Sequence, residues 1–170
     1  GTEALALLRE GETHLVLSRA ARCTLECETG KAVGDVEALA TRAHPVDDIG
    51  ASLASGTFRT EGMVIVPCSM KTLAGVVTGY SDNLLLRAAD VTLKERRRLV
   101  LVPREAPLGL LHLRNLQTAS ELGATILPPV LTFYGRPRSV EDLIRPVIGR
   151  ILDAFGLDLP GFSRWEPDHS

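Results

Sequence analysis

Aromatic residues are scarce in this chain. Phe, Tyr and Trp together make up 4% of its 170 residues, so a core has to be built mainly from Leu, Val, Ile and Ala. Cysteine is scarce too, and odd in number. Cys23, Cys27 and Cys68 are not spaced as a disulfide framework, which points to reduced thiols in a cytoplasmic protein. There is no basic excess: 19 Lys and Arg stand against 21 Asp and Glu, a net charge of −2. Nucleic-acid binders usually carry a basic footprint, so no nucleic-acid partner is expected. No apolar run approaches the roughly 20 residues that span a bilayer, and no signal peptide is visible, so no membrane partner is expected. Internal repeats and low-complexity segments are absent.

What remains is ordinary globular composition, with 45% hydrophobic and 24% charged residues. The length fits one domain over residues 1–170, large enough to bury a core. Residues 3–10 read as the end of a helix, stopped by Gly11. The apolar run 14–17 reads as a strand, followed by a helix with Ser18 as N-cap and Gly30 as its stop. Residues 31–60 carry less pattern; 47–54 reads as a helix and 55–57 as a loop. Strands are expected at 63–66, 99–102 and 124–127, with helices at 73–78, 83–94 and 110–122 between and around them. A last helix opens at Ser139-Val140-Glu141-Asp142, which has the form of a capping box with Asp for the usual Glu. Short continuous apolar strands alternating with helices specify an α/β protein with a parallel sheet covered on both faces. Ligands of such folds bind beyond the carboxyl ends of the strands.

Four strand ends are therefore candidates: Ser18, the segment 69–72, Arg104-Glu105 and the segment 128–134. Pro67-Cys68-Ser69-Met70-Lys71-Thr72 is the most informative, because a strand there gives way to a helix start. The first N–H groups of a helix bind anions readily, and two hydroxyls with a Lys between them add to that. Each residue also has a plainer reading. Ser18, Ser69 and Thr72 can be caps only, and the run 94–98 can be a solvated turn. Arg104 is harder to set aside, since a guanidinium at the end of a buried strand needs an anion, with Glu105 as its partner or as a separate acid-base group. Cys23 and Cys27 lie one helical turn apart, yet no His or further Cys completes a zinc site, so no metal is expected. His14, His44, His112 and His169 are scattered and form no nucleophile–His–acid set.

Several segments together resemble the UbiX-type flavin prenyltransferases, once described as aromatic-acid decarboxylases. They are Ser18-Arg19-Ala20-Ala21, the 67–72 turn, residues 83–91, Leu93-Lys94-Glu95-Arg96-Arg97, Val102-Pro103-Arg104-Glu105, Phe133-Tyr134 and Gly149-Arg150-Ile151-Leu152. The resemblance runs from about residue 12 to Trp165. It implies a three-layer α/β/α, flavodoxin-like fold that binds FMN and assembles as a homo-oligomer, a dodecamer, with sites at subunit interfaces. The activity implied is metal-free transfer of a dimethylallyl group from dimethylallyl phosphate to N5 and C6 of reduced FMN. The product, prenylated FMN, then passes to a UbiD-type decarboxylase.

Carried onto this chain, the resemblance assigns FMN contacts to Ser18, Ser69, Met70, Lys71, Thr72 and Arg104. Arg87, Lys94, Tyr134 and Arg150 would hold the prenyl phosphate, with Trp165 closing over the site. Glu28 and Glu105 would be the acid-base groups. Family members begin with an apolar strand and a Gly-Ala-Ser-Gly type loop around the flavin phosphate. Gly1 falls after that point, and the expectation is that such a segment precedes it in the full protein. Two other functions fit the same residues less well. A decarboxylase of the phosphopantothenoylcysteine type would show a Pro-x-Met-Asn motif late in the chain, and none is found. A non-catalytic flavin-binding accessory protein would not need Lys94, Glu105, Tyr134 and Arg150 together.

Overall fold

The computed structural model describes residues 11–133 and 135–162. The helix expected at 3–10 therefore lies outside the described residues. The chain divides into two compact units, Gly1–Pro128 and Pro129–Ser170.

In the first unit, β1 (His14–Val16) leads to Ser18, whose Oγ accepts the Ala21 N–H at 3.1 Å and starts α1 (Arg19–Thr29). Gly30 ends α1 at φ 64°, a left-handed conformation open to glycine, and its N–H returns to Glu26 O. A short helix, α2 (Val33–Glu37), and a strand, β2 (Arg42–His44), follow. Neither was expected. β2 is two-thirds exposed and reads Arg-Ala-His, so it lacks the apolar run that marks a strand in sequence.

The helix expected at 47–54 is not formed. Only Ser52–Ala54 makes a 3₁₀ turn, preceded by tight turns such as Asp48 N–H to Pro45 O and Ala51 N–H to Asp48 O, both 3.1 Å. Gly50 and the paired Asp47 and Asp48 favour such turns over a regular helix.

The remaining elements fall where the pattern puts them. They are β3 (Gly62–Cys68), α3 (Met70–Thr78), α4 (Leu84–Lys94), β4 (Arg98–Pro103), α5 (Leu110–Glu121) and β5 (Thr125–Ile126). All strand pairs are parallel: β1 with β2 in one sheet, and β3-β4-β5 in order in the other. Central β4 is buried from Leu99 to Pro103, so both of its faces are covered. Leu99, Leu101 and Ile65 form a core cluster with Leu73 and Val76 of α3, Leu86 and Ala89 of α4, and Ala119 of α5.

Edge strand β3 departs from the expected full coverage. Ile65 and Cys68 are buried, but Val64 and Val66 are 36% and 56% exposed. Just before β4, Arg97 donates to Phe58 O at 2.7 Å and to Gly56 O at 2.6 Å. That clamp corrects the reading of 94–98 as a solvated turn throughout.

The second unit is organised by α6 (Val140–Asp153). Its capping box is present as expected. Ser139 Oγ accepts the Asp142 N–H at 3.1 Å, and Asp142 Oδ2 accepts the Ser139 N–H at 3.0 Å. The Arg138 N–H adds to the same carboxylate at 2.8 Å, and these N–H donors hold its pKa below the ordinary value. The Phe162 ring lies so close over Gly149 that no side chain fits there. Arg145 donates to Pro160 O, bringing the segment after α6 back along it.

Candidate functional site

The site is built at the carboxyl ends of β3 and β4. β3 shifts register against β4 between Ile65 and Cys68, a local irregularity of the kind that re-aims side chains at strand ends. Cys68 then fills the core at 0% exposure, and burial pushes its thiol up to about 11. Ser69 follows as N-cap of α3. Its Oγ accepts the Thr72 N–H at 3.2 Å and lies 3.1 Å from Thr72 Oγ1. The helix geometry leaves the Met70 and Lys71 N–H groups without intrahelical acceptors. With the positive end of the helix dipole and the exposed Lys71, they make this turn suited to an anion.

Arg104 stands beside that turn because its N–H reaches Cys68 O at 3.4 Å, tying the ends of the two strands together. Its guanidinium Nη1 faces Glu28 Oε1 of α1 at 3.9 Å, with both side chains 61% exposed. The anion that Arg104 was expected to need is therefore Glu28 and not Glu105. Glu105 instead accepts the Ala106 N–H at 3.1 Å in the exposed loop after β4, where Ala106–Pro107 is cis. Within one chain the structure thus gathers Ser69, Thr72, Arg104 and Glu28, with Lys71 and Glu105 alongside. Ser18 stands at the end of β1, its hydroxyl engaged as a cap.

Of the residues expected to hold the prenyl phosphate, Arg87 and Lys94 both belong to α4. Arg87 is paired with Asp90 at 2.9 Å on α4. Lys94 ends α4 just before β4 enters the sheet, while Arg104 follows its exit. Six strand residues rise about 20 Å, so Lys94 and Arg104 lie at opposite ends of β4. Arg150 belongs to the second unit, where its Nη1 is 3.8 Å from Asp153 Oδ2. Tyr134 and Trp165 lie outside the described residues.

Sequence reasoning missed a histidine pair. His14 Nδ1 and His44 Nε2 are 2.8 Å apart on β1 and β2, their rings stacked at 5.1 Å, with Phe58 edge-on to His14 at 5.2 Å. Burial first, then the neighbouring His14, lower the pKa of His44. The only signal was that each His sits at a strand, and β2 was not recognised as one. His112 is local: its Nδ1 accepts the Gly109 N–H at 3.2 Å at the start of α5.

Residues 4–152 match the Flavoprotein family model. The flavin prenyltransferase UbiX of Escherichia coli (strain K12) is 53% identical over 171 residues, covering 98% of this chain and 90% of that protein. A dodecameric FMN-dependent UbiX-like decarboxylase from Escherichia coli O157:H7 superposes with a TM-score of 0.94 at 49% identity, over 97% of this chain and 89% of that one. AnUbiX, solved in complex with FMN and dimethylallyl pyrophosphate, also gives a TM-score of 0.94, at 50% identity and the same coverage. The parallel sheets flanked by helices are thus those of the flavodoxin-like α/β fold expected from the sequence.

Proposed function

The chain belongs to the flavoprotein family and, within it, to the UbiX-type flavin prenyltransferases, and from that premise we propose the following reaction. The enzyme transfers a dimethylallyl group from dimethylallyl phosphate to N5 and C6 of reduced FMN, releasing phosphate and making prenylated FMN. Support comes from the close likeness to AnUbiX, whose complex holds FMN together with dimethylallyl pyrophosphate. The carrying observation in this chain is the turn Ser69–Thr72 beside Arg104, an anion site of helix N–H groups, hydroxyls and cations at the sheet's carboxyl edge.

That donor set fits FMN, which has a phosphate and a polar ring edge. Ser18, Ser69, Met70, Lys71, Thr72 and Arg104 are assigned to hold it. When bound and reduced, FMN supplies the electron-rich atoms to which the prenyl carbons attach. The chain's own part is charge and proton handling. Arg87, Lys94, Tyr134 and Arg150 are assigned to the prenyl phosphate, where cations and a phenol stabilise charge that grows on the leaving group. Glu28, which faces Arg104 at 3.9 Å, and Glu105, next to Arg104 in sequence, are assigned the proton transfers that accompany formation of the two bonds. Trp165 is assigned to cover the prenyl group.

Lys94 stands at the far end of β4 from Arg104, so a complete site draws Lys94 from a second copy of the chain. The dodecameric relative supports an oligomer of that kind. The Flavoprotein match spans both compact units, which supports treating residues 1–170 as one flavoprotein domain. No helix among the described residues is long and apolar enough to cross a membrane. The assigned location is the cytoplasm, and the assigned recipient of the product is a UbiD-type decarboxylase.

The reaction is tested by incubating full-length protein with reduced FMN and dimethylallyl phosphate, then weighing the extracted flavin. A gain of one C5H8 unit is expected, and recovery of unmodified FMN alone contradicts the assignment. Replacing the phosphate donor by the pyrophosphate in a parallel incubation identifies which donor serves.

A further inference from the structure

The first turn of α5 and the residues just before it carry their leucines on the outside. Leu108, Leu110, Leu111 and Leu113 are 41–68% exposed. A single exposed leucine is ordinary on a protein surface, but four so close together form an apolar patch of the kind that marks a contact surface. Helix geometry explains the arrangement. Leu116 and Ala119, three apart, turn inward and join the core cluster, and Ala119 is the only fully buried residue of α5. Leu110 and Leu113, also three apart, share another side, with Leu111 beside them.

The patch borders the flavin site. Helix α5 follows β4 through the loop that carries Arg104 and Glu105, so its first turn begins at the carboxyl edge of the sheet. Leu108 stands three residues beyond Glu105, at most about 11 Å along the chain. This is the edge at which the reaction proposed above needs a neighbour, because Lys94 stands at the other end of β4. An apolar surface next to a charged site that is completed from outside gives that neighbour a place to pack. Burying the leucines takes apolar area out of water and supplies the driving force for association.

We propose that the Leu108–Leu113 patch is the seat of a second copy of this chain, the copy that brings Lys94 to the flavin site. The choice of occupant rests on the reading that Lys94 comes from a second chain.

The test is the mass of the full-length protein at micromolar concentration, measured by analytical ultracentrifugation beside its prenylation rate. Wild type is expected as an assembly of several copies, and so is Leu110→Met, which keeps an apolar side chain of similar volume. Leu110→Glu and Leu111→Glu set a carboxylate into the patch. With circular dichroism unchanged, each should come apart at concentrations on the order of tenfold or more above those at which the wild type does, and lose prenylation as it does so. Glutamate variants that hold together as firmly as the wild type overturn the proposal. So does a wild type that sediments as a monomer, or a dissociated variant that prenylates at the full rate. Assembly that depends on these leucines supports the surface even where the wild-type flavin is recovered unmodified, so failure of the surface and failure of the reaction are told apart.

Discussion

Arg104 and Glu28 meet at 3.9 Å, yet each side chain is 61% exposed. An ion pair so open to water contributes roughly 0–1 kcal/mol to stability. Its place at the strand ends makes sense as function. Glu28→Gln should therefore leave the melting temperature close to wild type while prenylation falls, by about 10²- to 10⁴-fold if the carboxylate moves a proton. A large loss of stability with activity retained would show the pair to be structural. Tyr134→Phe and Arg150→Ala should weaken the prenyl-phosphate step while FMN still binds, as read by flavin retention on the purified protein. Loss of FMN from either variant would overturn their assigned role. At this scale the sequence was informative about residue types at strand ends and less so about partners. Glu105 was read either as the partner of Arg104 or as a separate acid-base group, and Arg104 looks instead to Glu28, 76 positions earlier in the numbering. A pairing made by tertiary approach leaves no trace in local spacing.

Among the elements, the β1–β2 pair carries an acid-sensitive group. His44 lies on β2, its ring against His14 of β1, with Asp48 and Arg42 as the other charges acting on it. Its folded pKa lies below the ordinary 6.5, so between the two values the unfolded chain binds the extra proton. Stability then rises with pH across that window. The stabilising share is complete above about 6.5 and is lost as pH falls through the depressed folded value. Melting temperatures from about pH 8 to pH 5 should fall more steeply for the wild type than for His44→Gln, and parallel profiles would contradict the assignment.

Helix ends are a different case, because local chemistry decides them. Ser18, Ser69 and Ser139 cap as their sequence contexts indicate, and Asn83, read as the first residue of its helix, caps it instead, each side chain accepting a backbone N–H. Ser139→Ala should cost about 1 kcal/mol in denaturant unfolding. β2 and α2 escaped notice for the opposite reason: they are short, and their residues gain strand or helix form from packing and not from periodicity.

For the whole molecule, continuous apolar runs flanked by helical patterns were enough to indicate a parallel α/β fold, and β4 is covered on both faces as such runs require. They did not show that Val64 and Val66 of β3 would be exposed, since a period-two pattern does not say what lies over a sheet face. The expected helix over 83–94 and strand over 99–102 already put Lys94 before the strand and Arg104 after it, and the structure keeps the two at opposite ends of β4. That separation makes a prediction for the assembly. Lys94→Ala and Arg104→Ala proteins, each inactive alone, should regain part of the activity when mixed under conditions that exchange subunits. Absence of any recovery, with exchange verified by mass, would place the whole site within one chain. The central claim is the chemistry itself. Its most direct measurement is the mass of flavin recovered after the full-length protein is incubated with reduced FMN and dimethylallyl phosphate. A flavin heavier by C5H8 is the predicted result, and FMN returned unchanged would contradict it.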